Sequence, residues 1–110
     1  MATDTATTQS YSIVNIACGS STGAGAAIDV TLGFKPRHVR VFNETDATMW
    51  EKFAEQADAN TAKTVTAGDL TKDTGSAIVL MGDQGDSYAG FEMSATLAAS
   101  GKALHWIAFG

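Results

Sequence analysis

The chain has 110 residues, twelve acidic side chains against seven Lys and Arg, and a formal net charge of −5. This length predicts one domain with a modest core. The acidic balance provides no basic patch for nucleic acid and opposes an anionic membrane surface, and no run of about 18 apolar residues could span a bilayer.

The first ten residues, MATDTATTQS, are polar and rich in threonine. They lack the basic and apolar regions of a signal peptide, so we expect synthesis in the cytoplasm without export. Because they offer almost nothing to bury, we expect residues 1–10 to form a flexible, extended arm on a single β domain of residues 11–110. The candidate partner-binding residues on and beside this arm are Thr3, Thr5, Thr7, Thr8, Gln9 and Tyr11.

A glycine-rich stretch, IACGSSTGAGAAI, follows at positions 16–28. It has neither a Walker-type lysine nor the third glycine of a dinucleotide-binding turn. Both of those sites also need a following helix, whereas Ile28 to Leu32 alternates apolar and polar residues as a strand does. We therefore predict a long, flexible loop between strands and no phosphate site.

Strands are predicted at short intervals along the rest of the chain. The segments are 11–17, 27–32, 37–43, 48–54, 62–67, 76–81, 88–95 and 102–109. Residues 46–60 are ambiguous, since Trp50, Phe53 and Ala57 also fall near helical spacing. We favour a strand over 48–54, with a helix as the open alternative.

These short segments, without long helices between them, predict an all-β fold. We expect an antiparallel β-sandwich or a jelly-roll-like barrel of about seven to eight short strands. Its core is expected to use the aromatic side chains, although a few of them could instead form a contact patch. These are Phe34, Phe42, Trp50, Phe53, Phe91, Trp106 and Phe109.

Candidate ligand and nucleophile residues are few. His38 and His105, the only histidines, lie within predicted strands and are more typical of a sheet face than of a metal site, which needs three or four ligands. Cys18 is the only cysteine, so no internal disulfide can form, and we expect a small buried thiol.

The acidic residues also favour structural roles. Glu44, Asp46, Glu51, Glu55 and Asp58 lie in a span whose only basic residue is Lys52, which is typical of a solvated surface or a docking face. The sequence from Gly82 to Asp86 fits a turn better than a calcium loop. No set of residues combines a nucleophile, a base and an oxyanion donor, so we expect neither enzymatic activity nor a cofactor.

Three segments resemble a known class of protein. The sequence GFKPRHVRVFN at 33–43 resembles a turn and strand of small tailed-bacteriophage virion proteins. GFEM at 90–93 and SGKALHWIA at 100–108 resemble the closing strands of the same proteins.

The resemblance is strongest to capsid decoration, or cement, proteins. It implies a structural protein of the virion, assembled in the host cytoplasm, that binds the major capsid protein and stabilises the outer surface of the lattice. It further implies a homo-oligomer, with a trimer favoured, and no catalytic residues. The alternatives are a tail, baseplate or fibre subunit, or a protein of another class: a carbohydrate-binding or hydrolytic module that uses Asp83, Asp86 and the acidic span.

Overall fold

The computed structural model describes residues 15–65 and 68–110. These residues contain nine β-strands, and none of their elements is a helix long and apolar enough to cross a membrane. The strands are β1 (Ile16–Thr22), β2 (Ile28–Thr31), β3 (His38–Asn43), β4 (Thr48–Phe53), β5 (Thr61–Thr64), β6 (Leu70–Asp73), β7 (Ile78–Met81), β8 (Gly90–Met93) and β9 (Ala103–Phe109).

The strands form two antiparallel sheets. The larger sheet has six strands in the order β1-β9-β3-β4-β5-β6, and the smaller has three in the order β2-β8-β7. All seven strand pairings are antiparallel. The architecture is therefore the expected all-β, sandwich-like fold, with nine strands in place of seven or eight.

The core lies between the two sheets. Alternate residues of β3, β4 and β9 point inward from the large sheet, and β7 and β8 supply the facing layer. Phe91 of the small sheet meets Trp106 of the large one edge to face, with ring centroids 5.3 Å apart. The buried apolar residues are Val39, Val41, Trp50, Ala77, Ile78, Phe91, Met93, Leu97, Ala98, Leu104 and Ala108.

Several details of the sequence prediction are confirmed. Residues 48–53 form a strand, so the helical alternative for this region is wrong. The turn at 82–86 is present, since Gly82 N and Asp83 N both donate to the Asp86 carboxylate. In β9, Leu104 and Ala108 are buried, while His105 lies on the opposite face as its alternation predicts.

The glycine-rich stretch differs from the prediction in its first half. Residues 16–22 form β1, and only 23–27 connect it to β2. Gly19 pairs with Trp106, and a Cβ at position 19 would lie 2.6 Å from Trp106 Cζ2, so the indole needs a residue without a side chain. Gly23 is buried against the Ala99 carbonyl in the same way. The small residues thus permit close packing along a strand, which sequence reading mistook for a flexible loop.

Two further predictions are wrong. Strand β6 lies where no strand was predicted, because its sequence, LTKD, shows no apolar alternation. Cys18 is exposed, since its position in β1 places it on the solvent side of the large sheet. The predicted arm, residues 1–10, and its candidate contact residues Thr3, Thr5, Thr7, Thr8, Gln9 and Tyr11 lie outside the described residues.

Candidate functional site

The solvent side of the six-stranded sheet carries an unusual number of large apolar side chains. Directly paired residues in an antiparallel sheet share a face, so the strand register defines three rows across this side, which we call the outer face. The first row holds Ile16, Phe109, His38 and Phe53. The second holds Cys18, Ile107, Arg40, Glu51, Ala62 and Lys72. The third holds Ser20, His105, Phe42, Met49, Thr64 and Leu70.

The large exposed apolar residues found in the described part of the chain all lie on the outer face. The exposed fractions are 60% for Ile16, 38% for Phe42, 45% for Phe53 and 73% for Leu70. Single exposed apolar residues are ordinary, but Ile16 and Phe53 are the two ends of a row that Phe109 and His38 complete, and Phe42 lies beside Met49. A continuous group of this kind marks an interaction surface. The outer face is therefore the strongest candidate for a functional site.

His38 is the centre of an aromatic stack in the first row. Its ring lies parallel to that of Phe53, at a centroid distance of 4.6 Å, and to that of Phe109, at 5.8 Å. Burial of the imidazole lowers the pKa of His38 from 6.5, and Arg40 adds to this effect while Glu51 opposes it. The lowered pKa favours the neutral imidazole, which presents a flat ring between the two phenyl rings.

One ion pair interrupts the apolar rows. Arg40 Nε lies 2.7 Å from Glu51 Oε1, directly across the β3–β4 pairing in the middle row. At the edge of the third row, His105 Nε2 lies 2.9 Å from Glu44 Oε2. The two histidines therefore lie in different rows with different partners and do not form a shared site. Within residues 15–65 and 68–110, no cluster of side chains could hold a metal ion.

An open pocket of about 330 Å³ lies elsewhere, beside β4 and β7. Its charged groups already have partners. Lys35 Nζ pairs with Asp83 at 2.6 Å, and the Asp86 carboxylate accepts two backbone N–H bonds, which lower its pKa. Both aspartates of the carbohydrate-binding alternative are thus engaged in turn structure.

The buried ammonium of Lys52 also lines this pocket. It donates to the carbonyl oxygens of Ala57 at 2.7 Å, Asp58 at 3.2 Å and Asn60 at 2.7 Å. An ammonium has three N–H donors, so all of them are used. Burial lowers the pKa of Lys52 and the charge of Asp58 opposes that effect. The arrangement fixes the 57–60 loop and leaves no donor for a ligand.

A carboxyl pair lies on the small sheet. Asp29 and Glu92 are direct cross-strand neighbours, and Tyr88 donates its hydroxyl to Asp29 Oδ1 at 3.1 Å. Burial, followed by the hydrogen bond to Asp29 and the charge of Asp29, raises the pKa of Glu92. Burial and these carboxylates also raise the pKa of Tyr88. The raised pKa favours the protonated form of Glu92 beside Asp29, and these residues are a carboxyl pair on a sheet surface.

The acidic span predicted from the sequence is divided among separate partners. Asp46 lies 2.9 Å from Lys102 Nζ, and that bond lowers the pKa of Asp46. Glu44 and Glu51 meet His105 and Arg40 on the outer face, so the span does not form one docking surface.

Sequence reading missed the outer face because it assigned most aromatic residues to the core. Trp50 and Phe91 are buried as expected, whereas Phe42 and Phe53 are exposed. The sequence does indicate a second apolar face. In 38–43, 48–53 and 103–109, apolar residues occur at both the odd and the even positions, whereas a sheet with one solvated face needs apolar residues at only one of these two sets.

Comparison with protein-family models, with curated proteins and with solved structures finds no match to this chain.

Proposed function

We propose that this chain is a structural virion protein that binds the outside of a tailed-phage capsid lattice and stabilises it. The observation that carries the proposal is the outer face, whose exposed apolar rows suit a protein that works in an assembly. The segments that resemble decoration proteins support it, because 38–43 and 103–108 form the adjacent central strands β3 and β9.

Charge gives further support. A net charge of −5 would be repelled by packaged nucleic acid, so it suits the outer surface of a head better than the inner one. The major capsid protein would be the partner, and residues 1–10 would tether each copy to a neighbouring capsid subunit. The resemblance also implies that the protein acts as a homo-oligomer, with a trimer favoured.

The test is co-sedimentation with empty heads that lack this protein. We expect binding that saturates at a fixed ratio to the major capsid protein, and heads that resist heating better when saturated. Deletion of residues 2–10 should weaken binding while the thermal unfolding of the free domain stays unchanged. Unchanged binding of the deleted chain would refute the tether, and absence of binding by the full chain would refute the lattice role.

Mass spectrometry of separated heads and tails tests the position in the particle. Recovery with heads is the expected result. Recovery with tails alone would transfer the protein to the tail, baseplate or fibre class.

A further inference from the structure

Within residues 15–65 and 68–110, no segment covers the outer face. The opposite side of the same sheet is sealed by β7 and β8, whereas Ile16 and Leu70, at two corners of the outer face, are 60% and 73% exposed. Exposure of apolar rows on this scale is unfavourable in water, so a partner on this side would stabilise the protein.

We propose that a second copy of this chain packs on the outer face, related by a two-fold axis that runs parallel to the strands between β3 and β4. The proposal concerns self-association and does not depend on the virion role: it gives a two-fold pair in place of the trimer that the resemblance implies, and a paired outer face leaves capsid binding to other surfaces. It follows from the position of the axis, the pattern of charges and the area available.

The axis lies at the centre of the sheet. The strand order places β1, β9 and β3 on one side of it and β4, β5 and β6 on the other. Rotation by 180° about this axis therefore places β3 of one copy over β4 of the other. In the same way β9 lies over β5 and β1 over β6 of the other copy, so all six strands of each sheet are covered. This is the aligned packing of two sheets, in which the twist of each sheet sets a crossing angle of about 30°.

The charges of the middle row become complementary in this arrangement. Arg40 of each copy lies over Glu51 of the other, so the two in-chain ion pairs join into a square of alternating charge. An axis perpendicular to the strands would instead place Arg40 over Arg40 and Glu51 over Glu51. Because like charges across an interface are strongly disfavoured, the charge pattern selects the axis parallel to the strands.

The neighbouring rows match as well. His38 lies over Phe53 of the second copy, which extends the aromatic stack of the first row across the interface. Phe42 lies over Met49 in the third row. An isologous interface requires such self-complementarity, because it joins the same patch of both copies. Each contact between one residue and a second residue of the other copy therefore occurs twice.

The area is sufficient for a specific contact. Six strands at a spacing of about 4.8 Å, with an average length of about 20 Å, cover roughly 570 Å² per chain, or roughly 1,100 Å² for the pair. A specific interface needs about 1,000 Å². Burial of the apolar rows would supply the attraction, and the charge square would fix the register.

The test is sedimentation velocity of the full chain up to about 100 µM, which detects micromolar affinity. We expect a species of twice the chain mass of 11.4 kDa. The variants Arg40→Glu and Glu51→Arg should each weaken pairing at least about tenfold, because each places like charges across the interface. An equimolar mixture of the two should recover pairing, since every crossing contact is then attractive.

The double variant Arg40→Glu/Glu51→Arg avoids loss of the in-chain ion pair. The double variant should pair with itself, but it should not be retained by an affinity-tagged wild-type chain, because the mixed pair places like charges across the interface. An axis perpendicular to the strands would instead make the mixed pair the more stable one. Lys35→Glu and Asp83→Lys are the controls, since they make equal charge changes in an ion pair away from the outer face. Neither should alter pairing, and circular dichroism verifies folding of each variant.

Three results would overturn the proposal. One is a full chain that stays monomeric throughout the concentration range. This result also overturns the proposal if the chain pairs after deletion of residues 2–10, because its own arm would then cover the outer face. The second is a trimer or dimer whose mass the outer-face variants do not change. The third is a double variant that mixes freely with wild type.

Discussion

Replacement of Lys52 by methionine should destabilise the domain by about 3 kcal/mol. Methionine keeps most of the length and the apolar stem of the side chain, but it removes three hydrogen bonds to the carbonyls of Ala57, Asp58 and Asn60. A hydrogen bond to a charged group contributes about 1.5–3 kcal/mol, so the three together set an upper limit of several kcal/mol.

Two effects reduce that limit. Lys52 is only 3% exposed, so its ammonium loses hydration when the chain folds, and removing it recovers that cost. Ala57 and Asp58 are exposed, so water can replace the lysine at their carbonyls. We therefore place the loss near 3 kcal/mol, a large part of the 5–15 kcal/mol that holds a typical domain together.

Urea unfolding followed by tryptophan fluorescence measures this loss. The matched control is Lys35→Met, which removes the ammonium of an exposed ion pair away from the outer face and should change stability by less than about 1 kcal/mol. A loss below about 1 kcal/mol for Lys52→Met would refute the reasoning, because it would mean that the 57–60 loop is held without the lysine.

Three further changes test other parts of the structure. Gly19→Ala should cost about 1–3 kcal/mol in urea unfolding, because the new Cβ would lie 2.6 Å from Trp106 Cζ2. His38 has a folded pKa below its ordinary 6.5, so the unfolded chain binds its proton more tightly, and the urea midpoint should fall as pH drops from 6.5 towards the folded pKa. Asp29→Asn should lower the pKa of Glu92 in a carbon-13 NMR titration, without restoring its ordinary value, because burial is the largest cause of the shift.

Each of these has a control. Ser20→Ala, next in β1 but on the exposed side, should leave stability nearly unchanged, and an equal loss would contradict the contact at position 19. His38→Gln should flatten the pH dependence between 5 and 6.5; a slope that survives this change would assign it to another group. Glu44→Gln removes a carboxylate distant from Glu92 and should leave the Glu92 titration unaltered.

The central strands could be predicted because their alternation coincides with burial. In β3, Val39 and Val41 are fully buried while Arg40 between them is exposed, and a shift of one residue would reverse every side chain. Strand β9 follows the same rule, whereas β4 remained ambiguous in the sequence because Trp50, Phe53 and Ala57 also fall near helical spacing. Where one face is buried, the period of two is visible in the sequence.

The two edge strands of the larger sheet, β6 and the second half of β1, could not be predicted, for different reasons. Strand β6 is exposed at Leu70, Thr71 and Lys72, so no alternation marks it, and only its pairing with β5 makes it a strand. The second half of β1 is hidden for the opposite reason. Its small residues have the composition of a loop, and the indole that requires one of them, Trp106, lies far away in the sequence.

The ribbon formed by β5 and β6 gives an independent reason to place the partner on the outer side. Its inward positions Thr61, Lys63, Thr71 and Asp73 are polar, and Lys63 Nζ lies 4.5 Å from the Trp50 ring centroid, over the margin of the core. A three-stranded layer faces a six-stranded one, so the small sheet covers this ribbon only in part: Thr61 is fully buried, whereas Lys63 and Asp73 keep part of their surface in contact with solvent. The outer side instead carries Leu70, 73% exposed, in the same row as Phe42 and Met49. If the ribbon were only a solvated edge, polar residues on both sides would suffice. An apolar residue on the outer side alone is what a sheet needs when its second layer comes from another molecule.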